Sequence, residues 1–161
     1  MLLRTCLLSL LAALFVTGCA LAPTDAPRYS AAPAAPDGYA TVYLLRNQHG
    51  PNVATTKMLV AGVPVVDLSL KSYSWVYVRA GTHNVAAEWP MLLKQPNTSV
   101  NHTFEAGKRY YFRIRTGFAT GGGLFSPGII VSSILEALPP ENGEAELIAC
   151  CGYLKASVEK I

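Results

Sequence analysis

Between Tyr39 and Thr116 the chain repeats one pattern, a short run of alternating side chains followed by a turn marked with glycine or proline. Residues 40–46 set Val42 and Leu44 against Thr41 and Tyr43, the period of two that a strand demands. Polar residues and Gly50-Pro51 break that run. Residues 57–68 read as a hairpin in which Met58-Leu59-Val60 turns near Ala61-Gly62. Pro64 puts its second arm at a sheet edge or makes it begin late, because proline has no N–H to give to a neighbour. Residues 72–78 alternate Tyr73, Trp75 and Tyr77 against Ser74, Val76 and Val78; Ala80-Gly81 turns the chain and residues 82–88 return it. Residues 100–104 and 109–116 form a further pair around Glu105-Ala106-Gly107-Lys108. Strands this short, at this spacing, predict a mainly β domain built as an antiparallel β-sandwich.

Beyond Thr116 the pattern changes. Gly117 to Gly123 reads as a flexible glycine-rich joint; it lacks the Gly-Lys-Ser/Thr ending of a phosphate loop. Residues 124–138 are apolar, and Ile130, Ile134 and Leu138 fall at helical spacing. That spacing predicts one short amphipathic helix over 129–138, ended by Pro139-Pro140. Such a helix would cover an open end of the sandwich, or touch membrane or a partner. Residues 144–155 read as a last strand.

Ahead of the body lies a different kind of sequence. Arg4 supplies a positive start, residues 7–16 form an apolar run too short for a permanent bilayer span, and Val16-Thr17-Gly18-Cys19 follows. This order of charge, apolar length, Gly and Cys resembles the signal sequence of bacterial lipoprotein precursors. The resemblance implies a signal peptide over 1–18 and acylation of Cys19, on sulfur and on its freed amine. Two or three acyl chains make a stable anchor where one does not. Residue 20 is alanine rather than the aspartate of inner-membrane retention, so the same resemblance implies an outer-membrane lipoprotein facing the periplasm. Pro23, Pro27, Pro33 and Pro36 among alanines make residues 19–38 a lipidated Pro/Ala-rich tether with extended backbone, leaving 39–161 as the domain.

Residues 107–114, Gly-Lys-Arg-Tyr-Tyr-Phe-Arg-Ile, begin a second resemblance. With Thr41-Val42-Tyr43-Leu44-Leu45-Arg46, Gly62-Val63-Pro64-Val65 and Val78-Arg79-Ala80-Gly81-Thr82-His83, they resemble the bacterial lipoprotein family catalogued as domain of unknown function 2846. The likeness spans residues 39–116 closely and extends to the last strand over 144–153, with Ala80 standing where similar domains carry proline. It implies a sandwich of immunoglobulin-like or transthyretin-like type, and no catalytic residues.

Period two sets Arg109, Tyr111, Arg113 and Arg115 on one strand face and Tyr110, Phe112 and Ile114 on the other. Three guanidiniums beside an aromatic suit phosphate, lipid headgroups or an anionic glycan, since arginine offers a planar bidentate donor. An ordinary solvated outer face explains the same pattern. Tyr73, Trp75 and Tyr77 suit either ring stacking on a partner or burial in a core.

Cys6 leaves with the leader and Cys19 takes lipid, so Cys150 and Cys151 alone face an oxidising compartment. On a regular strand they point to opposite faces, which predicts a buried thiol with an inert neighbour; a vicinal disulfide or an intermolecular bridge is the alternative. His49, His83 and His102 show no ligand spacing, so no metal and no cofactor is expected. No serine sits in G-x-S-x-G, and no enzyme is expected. A net charge of +3, one less without Arg4, is too small for nucleic-acid binding. The expectation is a membrane-anchored envelope lipoprotein acting as a non-enzymatic binding or assembly module for an envelope protein partner. The alternative is a carrier or sensor of an anionic lipid or glycan.

Overall fold

A computed structural model of the chain describes residues 29–48, 54–93, 95–121 and 128–161, with side chains left out at 118–121 and 128–131. The expected signal peptide, Cys19 and the first part of the tether lie outside the described residues.

Among the described residues nine strands run in chain order: β1 Tyr39–Arg46, β2 Thr56–Val60, β3 Val63–Leu68, β4 Ser72–Arg79, β5 Gly81–Glu88, β6 Thr98–Phe104, β7 Arg109–Gly121, β8 Gly128–Leu138 and β9 Gly152–Tyr153. The helix α1 covers Pro140–Cys150, and a 3₁₀ turn covers Met91–Leu93. The strands form a mainly β sandwich of two sheets, ordered β8-β7-β1-β4-β9 and β3-β2-β5-β6. Between the sheets pack Val42, Leu44, Met58, Val76, Val78, Val85, Phe104, Phe112 and Ile114.

The hairpin over 57–68 forms as expected, and β3 with Pro64 is an edge strand. Its turn holds Ala61 at φ 50° and Gly62 at φ 78°, the paired left-handed conformation that matches strand twist. Two other expected hairpins are instead crossings between sheets. β4 pairs with β1, whereas β5 pairs with β2 and β6; β6 pairs with β5, whereas β7 pairs with β1 and β8. The reason lies in burial. β1 and β4 are covered on both faces, while β5 and β6 alternate between core and solvent, so consecutive strands belong to different layers. Two pairings, β1 with β7 and β4 with β9, are parallel.

The expected helix over 129–138 is a strand. β8 pairs with β7 from Tyr111↔Leu138 to Gly121↔Gly128. Positions 130, 134 and 138 are spaced by four, which is also even, so they share a strand face as readily as a helix face; the β-branched run Ile129-Ile130-Val131 favours the strand. Gly117 to Gly121 continue β7 rather than forming a loop, and the Ser132 hydroxyl fills the space a Cβ at Gly117 would take. The remainder of the expected joint lies outside the described residues. The expected strand over 144–155 is mostly α1, with only Gly152–Tyr153 extended. Pro140 starts that helix instead of ending one, because a first-turn residue needs no N–H.

The outer face of the five-stranded sheet carries a second core. Tyr43, Leu45, Tyr73 and Tyr111 pack there with Ala32, Leu147 and Cys151. Tyr73 and Tyr77 are buried and Trp75 partly so, which makes that aromatic row a core, though not the core between the sheets. The last residues close the sandwich at its β3–β4 side. Ser157 N–H donates to the Val65 carbonyl, while Tyr77 and Arg79 N–H groups donate to the carbonyls of Glu159 and Ile161. Leu154, Ala156, Val158 and Ile161 lie against the core beneath this strap. Among the described residues no helix is long and apolar enough to cross a membrane.

Candidate functional site

Alternation along β7 carries Tyr111, Arg113 and Arg115 to the outer face, and the same face receives α1 and residues 29–33. Tyr111 is 2% exposed: its ring stacks on Tyr43 at 4.8 Å between centroids and lies under Gly143 of α1. It is a core residue and no contact surface. Burial, with the Glu144 charge adding to it, pushes the Tyr111 phenol up to about 12, opposed by Arg109.

The three arginines each meet a carboxylate. Arg113, 17% exposed, donates from Nε to Glu136 Oε1 at 2.9 Å and from Nη1 to Glu146 Oε1. Glu136 stands directly across on β8, and Glu146 comes from the helix. Asn47 Nδ2 donates to the second oxygen of Glu146 at 2.6 Å. Arg113 therefore ties strand, hairpin partner and helix together. Arg115 Nε lies 2.9 Å from Glu136 Oε1 as an ion pair, without a hydrogen-bonding alignment, and Arg109 is 3.9 Å from Glu144. Arg109 and Arg115 remain nearly half exposed. The arginine row is thus a neutralised seam whose inner member holds the helix and whose two flanks reach solvent.

Arg115 sits opposite Ile134 on β8, and Ile134 is 44% exposed. Among the described residues β8 has β7 as its one sheet neighbour, and none of them pairs with its far edge. An open edge offers unpaired backbone groups to an incoming strand. This juxtaposition of guanidinium, apolar side chain and sheet edge is hidden in the sequence, where the spacing of residues 129–138 fits a helix.

The tether is built into the same face. Tyr29 donates to Glu144 Oε1 at 2.9 Å, Ser30 and Tyr73 exchange hydrogen bonds at 3.1 and 3.3 Å, Ala32 N–H donates to the Tyr43 hydroxyl at 2.8 Å, and Tyr77 donates to the Pro33 carbonyl at 3.2 Å. Burial and the Glu144 hydrogen bond raise the Tyr29 phenol far above its ordinary value. No periodicity marked residues 29–33 for docking; the signal available was the row of tyrosines at 43, 73 and 77, whose hydroxyls need partners when buried.

Cys150 and Cys151 are joined as a vicinal disulfide. This corrects the expectation of a buried thiol beside an inert one. The pair straddles the end of α1, where Cys151 turns extended at φ −120°, so the regular strand that would have parted the two sulfurs is absent. His83 and His102, distant in sequence, stand opposite each other on β5 and β6. His102 packs among Phe104, Tyr110 and Phe112, and burial lowers its pKa. His49 lies outside the described residues. Among the described residues no group of three or more His, Cys, Asp or Glu could hold a metal ion.

A cleft of about 480 Å³ opens between β3 and the strap, lined by Lys57, Val65, Val66, Asp67, Leu154 and Lys155. None of the arginine row lines it. No family model, no curated protein and no solved structure matches the chain.

Proposed function

We propose that the chain is an envelope lipoprotein, anchored through acyl chains on Cys19 in the outer membrane and facing the periplasm, whose sandwich is a non-enzymatic binding or assembly module. The likeness of residues 39–116 to the lipoprotein family of domain of unknown function 2846 belongs to the same proposal. The open edge of β8 carries the reading. An envelope protein adds a strand along residues 132–136, with main-chain hydrogen bonds supplying affinity and Ile134 with Arg115 supplying selectivity. Of the four residues read from sequence as a contact surface, Arg115 is the one beside that edge; Arg109 flanks the helix, and Arg113 and Tyr111 support the face from within.

Photocrosslinking in cells from position 134 tests this. One dominant protein adduct, lost when Ile134 and Arg115 are replaced by Asp and Ser, is the expected result. Absence of any protein adduct from 134, with the chain folded and anchored, would sink the edge-binding mechanism.

The β3 cleft favours a second reading. Lys57 and Lys155 above apolar Val65, Val66 and Leu154 suit an anionic headgroup with an apolar tail, or an anionic glycan, although Asp67 offsets part of that charge. A lipid or glycan adduct from a crosslinker at position 155 would support this carrier or sensor role.

A further inference from the structure

The 3₁₀ turn Met91–Leu93 leaves Met91 93% and Leu92 95% exposed, the two most exposed large apolar side chains among the described residues. Among the described residues neither belongs to either core. Trp89, two residues earlier, is 7% exposed; its indole N–H donates to Ser133 Oγ at 2.6 Å and its ring carries the Arg46 guanidinium at 4.9 Å. Trp89 N–H also donates to Asn97 Oδ1 at 3.0 Å, pinning the two stems of the turn together. The loop is therefore held by its base and presents its apolar tip outward.

Its position relative to the chain's N-terminal segment gives the tip a surface to meet. Arg46 and Ser72 are register partners at one end of the β1–β4 pair, beyond which β7 and β8 run on together to Gly121↔Gly128, and Tyr39 with Arg79 marks the other. The Trp89 stem packs on Arg46, so the tip belongs to the first end. Residues 29–38, followed backward, climb the sheet toward that end: Gly38 bonds Ala80, Pro33 bonds Tyr77, Ala32 bonds Tyr43 and Ser30 bonds Tyr73. Tyr73 is one residue from Ser72. Tyr29, the first described residue, packs on Tyr73 and so lies toward the end that carries Met91 and Leu92. Residues 20–28 separate Cys19 from Tyr29, a reach of at most about 35 Å even when fully extended.

We infer that the Met91–Leu93 turn seats on the bilayer that holds the anchor, with Met91 and Leu92 entering the headgroup boundary. This rests on the lipoprotein reading above. An acyl anchor confines the body near the bilayer, and an apolar tip on the anchor-proximal end then gains by leaving water. Two points of contact fix which way the sandwich faces, so the β8 edge is held at a defined orientation instead of tumbling on a leash.

The test uses the full-length acylated protein reconstituted in phosphatidylethanolamine and phosphatidylglycerol vesicles. An environment-sensitive fluorophore is attached at Leu92→Cys, and in a second preparation at Lys108→Cys, on the exposed turn at the opposite end. Lipids bearing a shallow nitroxide serve as quencher, and intact mass records acylation of Cys19. Strong quenching at 92 with little at 108 is the expected result. Equal, weak quenching at both sites in a fully acylated chain would overturn the seat while leaving the anchor standing. A chain with no acyl group would overturn the lipoprotein reading and this inference together. A protein crosslink from 92 in cells, with no lipid quenching in vesicles, would also overturn the seat, in favour of a protein partner at the tip.

Discussion

The ring of Tyr111 occupies the space that a side chain at position 143 would need, so α1 lies as close to the sheet as its glycine allows. Alanine is normally better than glycine inside a helix by about 1 kcal/mol. Here the added methyl meets a ring that is stacked on Tyr43 and cannot withdraw. Overpacking costs of about 1–3 kcal/mol outweigh the helical gain. Gly143→Ala therefore lowers stability in urea unfolding, and Tyr111→Leu in the same chain relieves part of the loss. Unchanged or raised stability in Gly143→Ala alone would refute the close approach.

The arginines are unequal. Arg113 bonds Glu136 and Glu146 in a largely covered site, so Arg113→Ser leaves Glu146 without its cation and Glu136 with Arg115 alone, and costs about 1–3 kcal/mol. Arg109, 3.9 Å from Glu144 and half exposed, changes stability by about 0.5 kcal/mol or less when replaced by serine. Equal effects from the two substitutions in denaturant titrations would contradict the seam.

Stability falls at both ends of the pH scale for identifiable reasons. Burial lowers the His102 pKa below its ordinary 6.5, so the unfolded chain takes up the proton first and stability is lost as pH falls below 6.5. His102→Gln flattens that limb. Burial raises the Tyr111 phenol to about 12 from 10.0, so its contribution is intact below 10 and lost as pH rises from 10 toward 12. Tyr111→Phe moves the alkaline limb upward. Tm measured against pH in the two variants separates these contributions.

Strand content and the two-sheet fold were legible in the sequence because alternation is a local signal, and 40–46, 57–68 and 72–78 carry it cleanly. Layer assignment was not. Glycine turns at Ala80-Gly81 and Gly107 look the same whether the chain pairs back or crosses to the other sheet, and only burial on one face or two decides. Residues 129–138 misled because a spacing of four satisfies both periods. Pro139-Pro140 misled because proline stops one helix and starts another with equal ease. Alternation places the arginine row on one face, but its fate depends on Glu136, Glu144 and Glu146 arriving from a strand where the spacing predicts a helix and a helix where it predicts a strand.

The vicinal disulfide closes a ring of two adjacent residues, so it removes little freedom from the unfolded chain. Reduction lowers global stability by about 1 kcal/mol or less, against about 3 kcal/mol for a bridge closing a fifteen-residue loop. Alkylation before and after reduction checks the bond itself: Cys150 and Cys151 stay unmodified until reductant is added. Free thiols in the native, unreduced protein would remove the assignment.

The most direct measurement for the account as a whole is the mass of the N-terminal peptide of the protein isolated from the envelope. The account predicts a chain that begins at Cys19 and carries a diacylglyceryl group with an additional acyl chain on its amine, and that Cys19→Ala leaves the leader attached and the lipid absent. A chain that retains residues 1–18, or begins at Cys19 without lipid, would contradict the anchor and with it the proposal of a module held at the membrane surface.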